Sequence, residues 1–179
     1  MSLLPTGMGL HSIPWTQSRV NLPALDIRQE ADNNRSRKEA HMASKVDRVD
    51  VWRGIIADSP GELGKVLKSL REAGANLEFL FARPWKEGQA AIFLAPLKGA
   101  AQYRAAKRAG IVKWTDRPSL RVRGANKAGL AARIAGALGE AGINIHGLSA
   151  IGAGSRSTFY IALKKADVAK AQRVVKQAL

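Results

Sequence analysis

The sequence predicts an α+β fold built from two ferredoxin-like βαββαβ modules with antiparallel sheets. Three observations support this prediction: an internal repeat, strand and helix periodicities that recur in the same order, and glycine turns at matching places. Residues 58–77 align with residues 126–145 at a constant offset of 68 without a gap. In this register Glu72-Ala73-Gly74 falls on Glu140-Ala141-Gly142. Such self-similarity indicates one structural unit present twice.

The first copy shows the elements of the module in order. A strand is predicted over residues 49–56, followed by a helix. The helix has one apolar face with i, i+3, i+4, i+7 spacing, formed by Leu63, Val66, Leu67 and Leu70. A strand from residue 76 and another over residues 90–95 follow. A second helix over residues 98–109 and a fourth strand over residues 111–114 complete the copy.

Capping rules predict where the helices begin and end. Ser59 and Glu62 have the spacing of a capping box, so Ser59 is expected to cap the first helix while Glu62 reaches back to it. In the second copy Asn126 is the expected cap. Gly74 and Gly142 are placed to end the two helices in a left-handed turn.

The second copy stops before its fourth strand. Its first strand is expected over residues 120–124, and its last helix, over residues 166–178, reaches the end of the sequence. In the split βαβ order the fourth strand lies beside the first, so the first strand would keep an unpaired edge. We expect either residues 45–52 or a second chain in a homodimer to pair with this edge. Arg121 and Arg123 favour the alternative of an edge protected by charge.

Three regions are predicted along the chain. Residues 1–45 contain three prolines and no persistent apolar period, which indicates a mostly disordered leader. The first module is expected over residues 46–116 and the second over residues 117–179.

Composition excludes several classes of site. The chain has no cysteine, and its three histidines lie far apart, so we expect neither a metal site nor a cofactor. His146, alone in a predicted strand, is expected to be an ordinary surface or core residue. No secretory signal or membrane span is recognisable, so a cytoplasmic protein without a membrane partner is expected. The 29 Lys and Arg against 14 Asp and Glu give a net charge of +15, which keeps nucleic acid as a less favoured partner.

Two segments in each copy resemble the signature of the ACT domain family. In the first copy they are Ala57-Asp58-Ser59-Pro60-Gly61-Glu62-Leu63 and Gly74-Ala75-Asn76-Leu77; in the second they are Gly124-Ala125-Asn126-Lys127-Ala128-Gly129-Leu130 and Gly142-Ile143-Asn144-Ile145. That signature is a strand, a D-x-P-G-x-L turn that opens a helix, and G-x-N-(I/L) at the start of the second strand. The resemblance covers residues 46–179. It implies a small-molecule-sensing regulatory module, most often for amino acids, that works in pairs and binds ligands where two modules meet.

The resemblance places the ligand near the turn between the first strand and the first helix. A helix N-terminus there presents free N–H groups to a carboxylate, and Gly61 and Gly129 allow close approach to the backbone. Asp58 is placed to pair with a ligand ammonium group, whereas Asn126 holds that position in the second copy, so equal binding by the two copies is not expected. The predicted ligand-binding residues are Asp58, Ser59, Gly61, Glu62, Leu63, Asn76 and Leu77, with Asn126, Gly129, Leu130, Asn144 and Ile145 in the second copy. A purely structural role in capping and packing is the alternative for these residues.

Gly61 also provides an expectation about a variant. Gly61→Val is expected to abolish ligand binding in the first copy, at a stability cost of about 1 kcal/mol or less for valine in a first helical turn.

No arrangement of catalytic residues is recognisable, so an enzyme is not expected. The predicted function is a non-catalytic regulatory protein that binds an amino acid or similar small ligand and acts through a homodimer or a partner enzyme. The first alternative is an RNA-binding protein with a basic βαββαβ surface. Against it, the third strands carry only Phe93 and Phe159-Tyr160 as aromatics. The second alternative is a structural subunit without a ligand.

Overall fold

Two four-stranded antiparallel sheets, each with helices packed on one side, make up residues 44–179, the part of the chain that the computed structural model describes. This arrangement confirms the predicted α+β class and the two ferredoxin-like modules. Residues 1–43, most of the predicted disordered leader, lie outside the described range.

The elements follow the predicted order. The first part of the chain forms β1 (Lys45–Val49), β2 (Trp52–Ala57), α1 (Glu62–Glu72), β3 (Phe79–Lys86), β4 (Gln89–Ala95), α2 (Gly99–Arg108) and β5 (Val112–Lys113). The second part forms β6 (Ser119–Ala125), α3 (Leu130–Glu140), β7 (Gly147–Ala153), β8 (Arg156–Ala162), a single 3-10 turn (Lys165–Asp167) and α4 (Val168–Gln177). The strand order is β3-β4-β2-β5 in the first sheet and β1-β6-β8-β7 in the second.

The second sheet takes its fourth strand from the other end of the described chain. β1 pairs antiparallel with β6, so that Val46 lies opposite Val122 and Asp47 opposite Arg121. The edge of β6 is therefore paired within the chain, by the segment predicted from the sequence. The first sheet begins at Trp52, while β1 belongs to the second sheet; the module boundaries at residues 46 and 117 remain predictions. Residues 45–49 join the second sheet because they pair with β6 along their whole length and because Val46, 5% exposed, packs in the core of the second module.

Each module has its own hydrophobic core between sheet and helices. In the first, Leu70 of α1 packs with Ile92 and Leu94 of β4. In the second, Leu138 of α3 packs with Ile161 of β8. All five side chains are at most 1% exposed, and full burial of each such side chain contributes about 1.5–3 kcal/mol. The predicted apolar helix faces are thus the surfaces that hold the helices on their sheets.

The helix starts differ from the capping prediction. Gly61 precedes α1 with φ of 90°, and Gly129 precedes α3 with φ of 78°, and neither helix has a side-chain cap. The capping box at Ser59 and Glu62 was wrong: the Ser59 carbonyl accepts from the Glu62 N–H, and the Glu62 carboxylate binds Lys65 Nζ at 2.6 Å. The residue that flanks the first turn of each helix is a left-handed glycine, so Ser59 lies too early in the chain to act as the cap of a capping box.

The predicted cap of the second helix has a different task. Asn126 Nδ2 donates to the Gly154 carbonyl oxygen at 3.1 Å and so fixes the turn between β7 and β8. The two helix ends, in contrast, are as predicted. Gly74 and Gly142 have φ of 78° and 69°, and the residue after each donates to a carbonyl in the last helical turn, at 3.0 Å from Ala75 and 2.9 Å from Ile143.

Because Gly61 is left-handed, we expect Gly61→Val to destabilise the protein by about 1–3 kcal/mol, more than the sequence indicated. No atom lies within 4 Å of an added Cβ, so the penalty comes from the backbone and not from a clash. Urea unfolding would measure it. Gly64→Ala, inside the same helix and equally unobstructed, is the control and should be neutral or stabilising. Equal stability of the two variants would contradict this account of Gly61.

Candidate functional site

Each sheet has one side covered by helices and one open side. On β3, Phe79, Phe81 and Arg83 share the open side, because side chains alternate along a strand. Phe81 lies directly opposite Phe93 of β4. Beyond β5, Trp114 continues this surface: its ring centroid lies 5.1 Å from that of Phe93. The open side of the first sheet is therefore aromatic.

The open side of the second sheet is smaller and more polar. Tyr160 of β8 lies opposite Ser149 of β7 and Arg121 of β6. Ala162 of β8 lies between Ser119 of β6 and Gly147 of β7 in the same way. Small residues beside a single tyrosine leave space above this sheet.

The two open sides meet at a cavity of about 340 Å³, which we call the interface cavity. Its size is at the lower end of the range of about 300–1,000 Å³ for small-molecule sites. The first module contributes Val51, Phe79, Phe81, Arg83, Phe93 and Trp114, and the second contributes Ser119, His146, Ser149, Tyr160 and their neighbours. A ligand in this cavity would contact both modules.

One aromatic contact joins the modules at this cavity. The rings of Phe79 and Tyr160 are stacked, with centroids 4.5 Å apart and an interplanar angle of 22°. The two residues are 7% and 4% exposed, so the contact is as buried as a core contact. Val51 and Ala95 pack around it. The stack therefore forms a fixed wall of the interface cavity.

Three polar atoms at the interface cavity are buried without a hydrogen-bond partner. They are Trp114 Nε1, His146 Nε2 and Tyr160 Oη, from a total of five such atoms among residues 44–179, although the Arg121 guanidinium lies close enough to Tyr160 Oη to act on it as a weak donor. Burial raises the pKa of the Tyr160 phenol, although the nearby Arg121 guanidinium acts in the opposite direction, so the hydroxyl remains a donor at neutral pH. Buried polar groups are normally paired. Trp114, His146 and Tyr160 thus leave polar atoms beneath the cavity wall without a full set of partners.

An ionic cluster next to the cavity also links the modules. Arg121 of β6 donates to Glu78 of the first module and, at 3.4 Å, to Asp47. Arg123 donates to the same Asp47 carboxylate at 3.0 Å. Burial alone would raise the pKa of Asp47. The hydrogen bond from Arg121, the charge of Lys45 and the hydrogen bond from Arg123 outweigh burial and lower this pKa.

Asp47→Asn is expected to lower the free energy of unfolding by about 1–2 kcal/mol at pH 7, since Asp47 is partly buried and holds two arginines. Folding lowers the pKa of Asp47. The carboxylate therefore contributes fully to the free energy of unfolding when the pH is above its unfolded-state pKa of about 3.9. This contribution is lost as the pH falls through the folded-state pKa. Urea unfolding at pH 7 and at acidic pH would measure this effect. The difference in the free energy of unfolding between wild type and variant should decrease as the pH is lowered. The control is Asp50→Asn, which breaks an exposed pair with Lys113 and should have less than about half this effect. An acid-independent difference would argue against the ionic role of Asp47.

The predicted ligand-binding residues lie elsewhere, at the two ends of α1 and α3. In the first module, Asp58, Ser59, Gly61 and Glu62 are brought together at the start of α1, while Asn76 lies beyond its other end, about 16 Å away by the length of an 11-residue helix. Four predicted residues are apolar side chains packed in the two cores: Leu63, Leu77, Leu130 and Ile145. In the second module Asn126 and Gly129 stand before α3, and Asn144 follows its end. None of the twelve lines the interface cavity, and their part in binding remains a prediction.

The two modules therefore form a tandem pair with a cavity of small-molecule size between them. Residues 119–179 match the family model of the ACT domain, which confirms the resemblance read from the sequence. The match coincides with the second module, and the first module has the same fold in tandem with it.

Solved structures show the same fold. The regulatory subunit of aspartate kinase from Thermus thermophilus is 19% identical with a TM-score of 0.56, covering 76% of this chain and 96% of its own. Protein BT0572 from Bacteroides thetaiotaomicron is 17% identical with a TM-score of 0.63, covering 74% and 89%. Aspartate kinase from Clostridium acetobutylicum is 16% identical with a TM-score of 0.51, covering 76% of this chain and 34% of its own. Among curated protein sequences none matches.

Within residues 44–179, no helix is long and apolar enough to cross a membrane.

Proposed function

We propose that this protein is a non-catalytic regulatory module that binds an amino acid or similar small ligand in the interface cavity. The observation that supports this most is a cavity of about 340 Å³ that is lined by residues of both modules. A ligand in this cavity contacts Phe79 and Phe81 of one module and Tyr160 of the other. Binding therefore changes the free energy of the contact between modules, which is what a sensor requires.

The signal would leave the protein through a second copy of the chain or a partner enzyme. The ACT domain match at residues 119–179 and the fold shared with an aspartate kinase regulatory subunit support a regulatory role. The turns before α1 and α3, with Gly61 and Gly129, are the second proposed location for a ligand. The free N–H groups of a helix start would bind a carboxylate there.

Titration calorimetry of the full chain against each of the twenty amino acids and their keto acids tests this function. We expect heat of binding from a small subset of these compounds. Ser149→Trp places a large side chain at the interface cavity, and Asp58→Asn changes the turn before α1. Loss of binding only in Ser149→Trp supports the interface cavity, and loss only in Asp58→Asn assigns the ligand to the turn. No heat from any compound would contradict the proposed function.

A further inference from the structure

The chemistry of the interface cavity defines the class of ligand more narrowly. We propose that the cavity takes a planar aromatic carboxylate, recognised by its ring and its acid group and without a contribution from an ammonium group. This inference rests on the proposed ligand-binding function and specifies the ligand of the same site.

The ring is recognised by an aromatic wall. Phe81 and Phe93 have ring centroids 6.2 Å apart, and Phe93 and Trp114 have centroids 5.1 Å apart, so three rings form one continuous surface. All three residues line the interface cavity, and Phe81 is 43% exposed although it is fully apolar. Flat rings favour offset or edge contacts with other rings. The uncovered wall therefore fits a planar ring better than a branched aliphatic group.

The acid group is recognised by Arg83. This is the single Lys or Arg among the described residues that line the interface cavity, and the lining has no Asp or Glu. Its guanidinium lies 5.6 Å from the centroid of the Trp85 ring, and no carboxylate within residues 44–179 pairs with it. The nearby carboxylates of Asp47 and Glu78 are already held by Arg121. A ligand carboxylate thus finds an unpaired guanidinium, while a ligand ammonium finds no counter-charge.

The neutral polar groups of the interface cavity favour a ligand that offers hydrogen-bond acceptors. The indole Nε1 of Trp114 can only donate, and the Tyr160 hydroxyl, whose pKa is raised by burial, stays protonated and is able to donate. Along β3, Phe79 and Arg83 are four residues apart, about 13 Å. Because Tyr160 stacks on Phe79, the tyrosine and the arginine mark opposite ends of the aromatic wall. The site is therefore suited to a ring that carries oxygen atoms at its two ends, one near the Tyr160 hydroxyl and the other near the Arg83 guanidinium.

Four matched compounds test this class by calorimetry on the full chain. Indole-3-propionate has ring and carboxylate, L-tryptophan adds an ammonium group, tryptamine lacks the carboxylate, and cyclohexanepropionate lacks the planar ring. We expect indole-3-propionate to bind most tightly, L-tryptophan to be weaker, and tryptamine and cyclohexanepropionate to be weaker by about 10-fold or more. Tryptamine or cyclohexanepropionate binding as tightly as indole-3-propionate would overturn the proposal.

Variants assign the binding to this cavity. Arg83→Gln is expected to weaken indole-3-propionate binding about 10- to 100-fold, by loss of a charge-assisted bond, and Arg83→Lys to restore part of it. Arg53→Gln is the matched control: its guanidinium lies 5.9 Å from the Trp114 centroid, on the same open side but outside the cavity lining. Equal effects of Arg83→Gln and Arg53→Gln would refute the role of Arg83. Binding of aliphatic amino acids alone would overturn the ligand class and leave the proposed function intact, whereas no binding at all would overturn both.

Discussion

Val46→Asp is expected to lower the free energy of unfolding by about 3–5 kcal/mol, because it places an unpaired charge in the core of the second module. Val46 is 5% exposed and packs in the cluster that holds Leu120 and Val122 of β6. It is also the inward anchor of β1, the strand that completes the second sheet. Urea unfolding and amide hydrogen exchange would measure the loss, and the amides of β6 should become exchangeable together with those of β1.

Arg48→Ser is the control for this variant, since Arg48 lies on the same strand with an exposed side chain. Its effect should be within about 0.5 kcal/mol. In the wild type, slow exchange of Arg121 and Arg123 should not depend on protein concentration, because β1 pairs with β6 within one chain. Exchange that accelerates on dilution would instead indicate a strand donated by a second copy.

The fold was predictable where local chemistry and topology agree. The repeat and the βαββαβ order predicted both sheets, and the missing fourth strand of the second module pointed to either residues 45–52 or a second chain as its replacement. Gly74 and Gly142 were predicted because a left-handed residue at a helix end needs only local information. The capping box failed because the path of the chain from β2 into α1 makes Gly61 the left-handed residue, and Ser59 is then too early to cap with its side chain.

The interface cavity was beyond the reach of sequence patterns. Phe79 and Tyr160 belong to different copies, and no periodicity links them; only the packing of one sheet on the other brings their rings together. His146 was considered an ordinary strand residue, yet it lines the cavity with an unpaired Nε2. One signal was available: Phe79 and Phe81 alternate on the side of β3 that faces away from the helices. Large apolar residues on that side indicate a second surface to be covered.

The contact between the modules carries the second large expected effect. Phe79→Ala should lower the free energy of unfolding by about 3–5 kcal/mol, the usual cost of removing a buried aromatic ring. Phe79 is 7% exposed, stacks on Tyr160 and packs with Val51 and Ala95 of its own module. Its loss opens a void where the two sheets meet, so the modules should also unfold less cooperatively.

Tryptophan fluorescence distinguishes the two modules in this experiment. Within residues 44–179 every tryptophan belongs to the first module, whereas far-ultraviolet circular dichroism reports on both. In the wild type the two urea transitions should coincide, and in Phe79→Ala they should separate. Phe81→Ala, two residues along the same open side and 43% exposed, should cost about 1 kcal/mol or less and leave the transitions together. Coincident and unshifted transitions in Phe79→Ala would mean that the stack does not couple the modules. A ligand in the interface cavity would still contact both modules, so their coupling would then depend on the ligand itself and on the ion pair between Arg121 and Glu78.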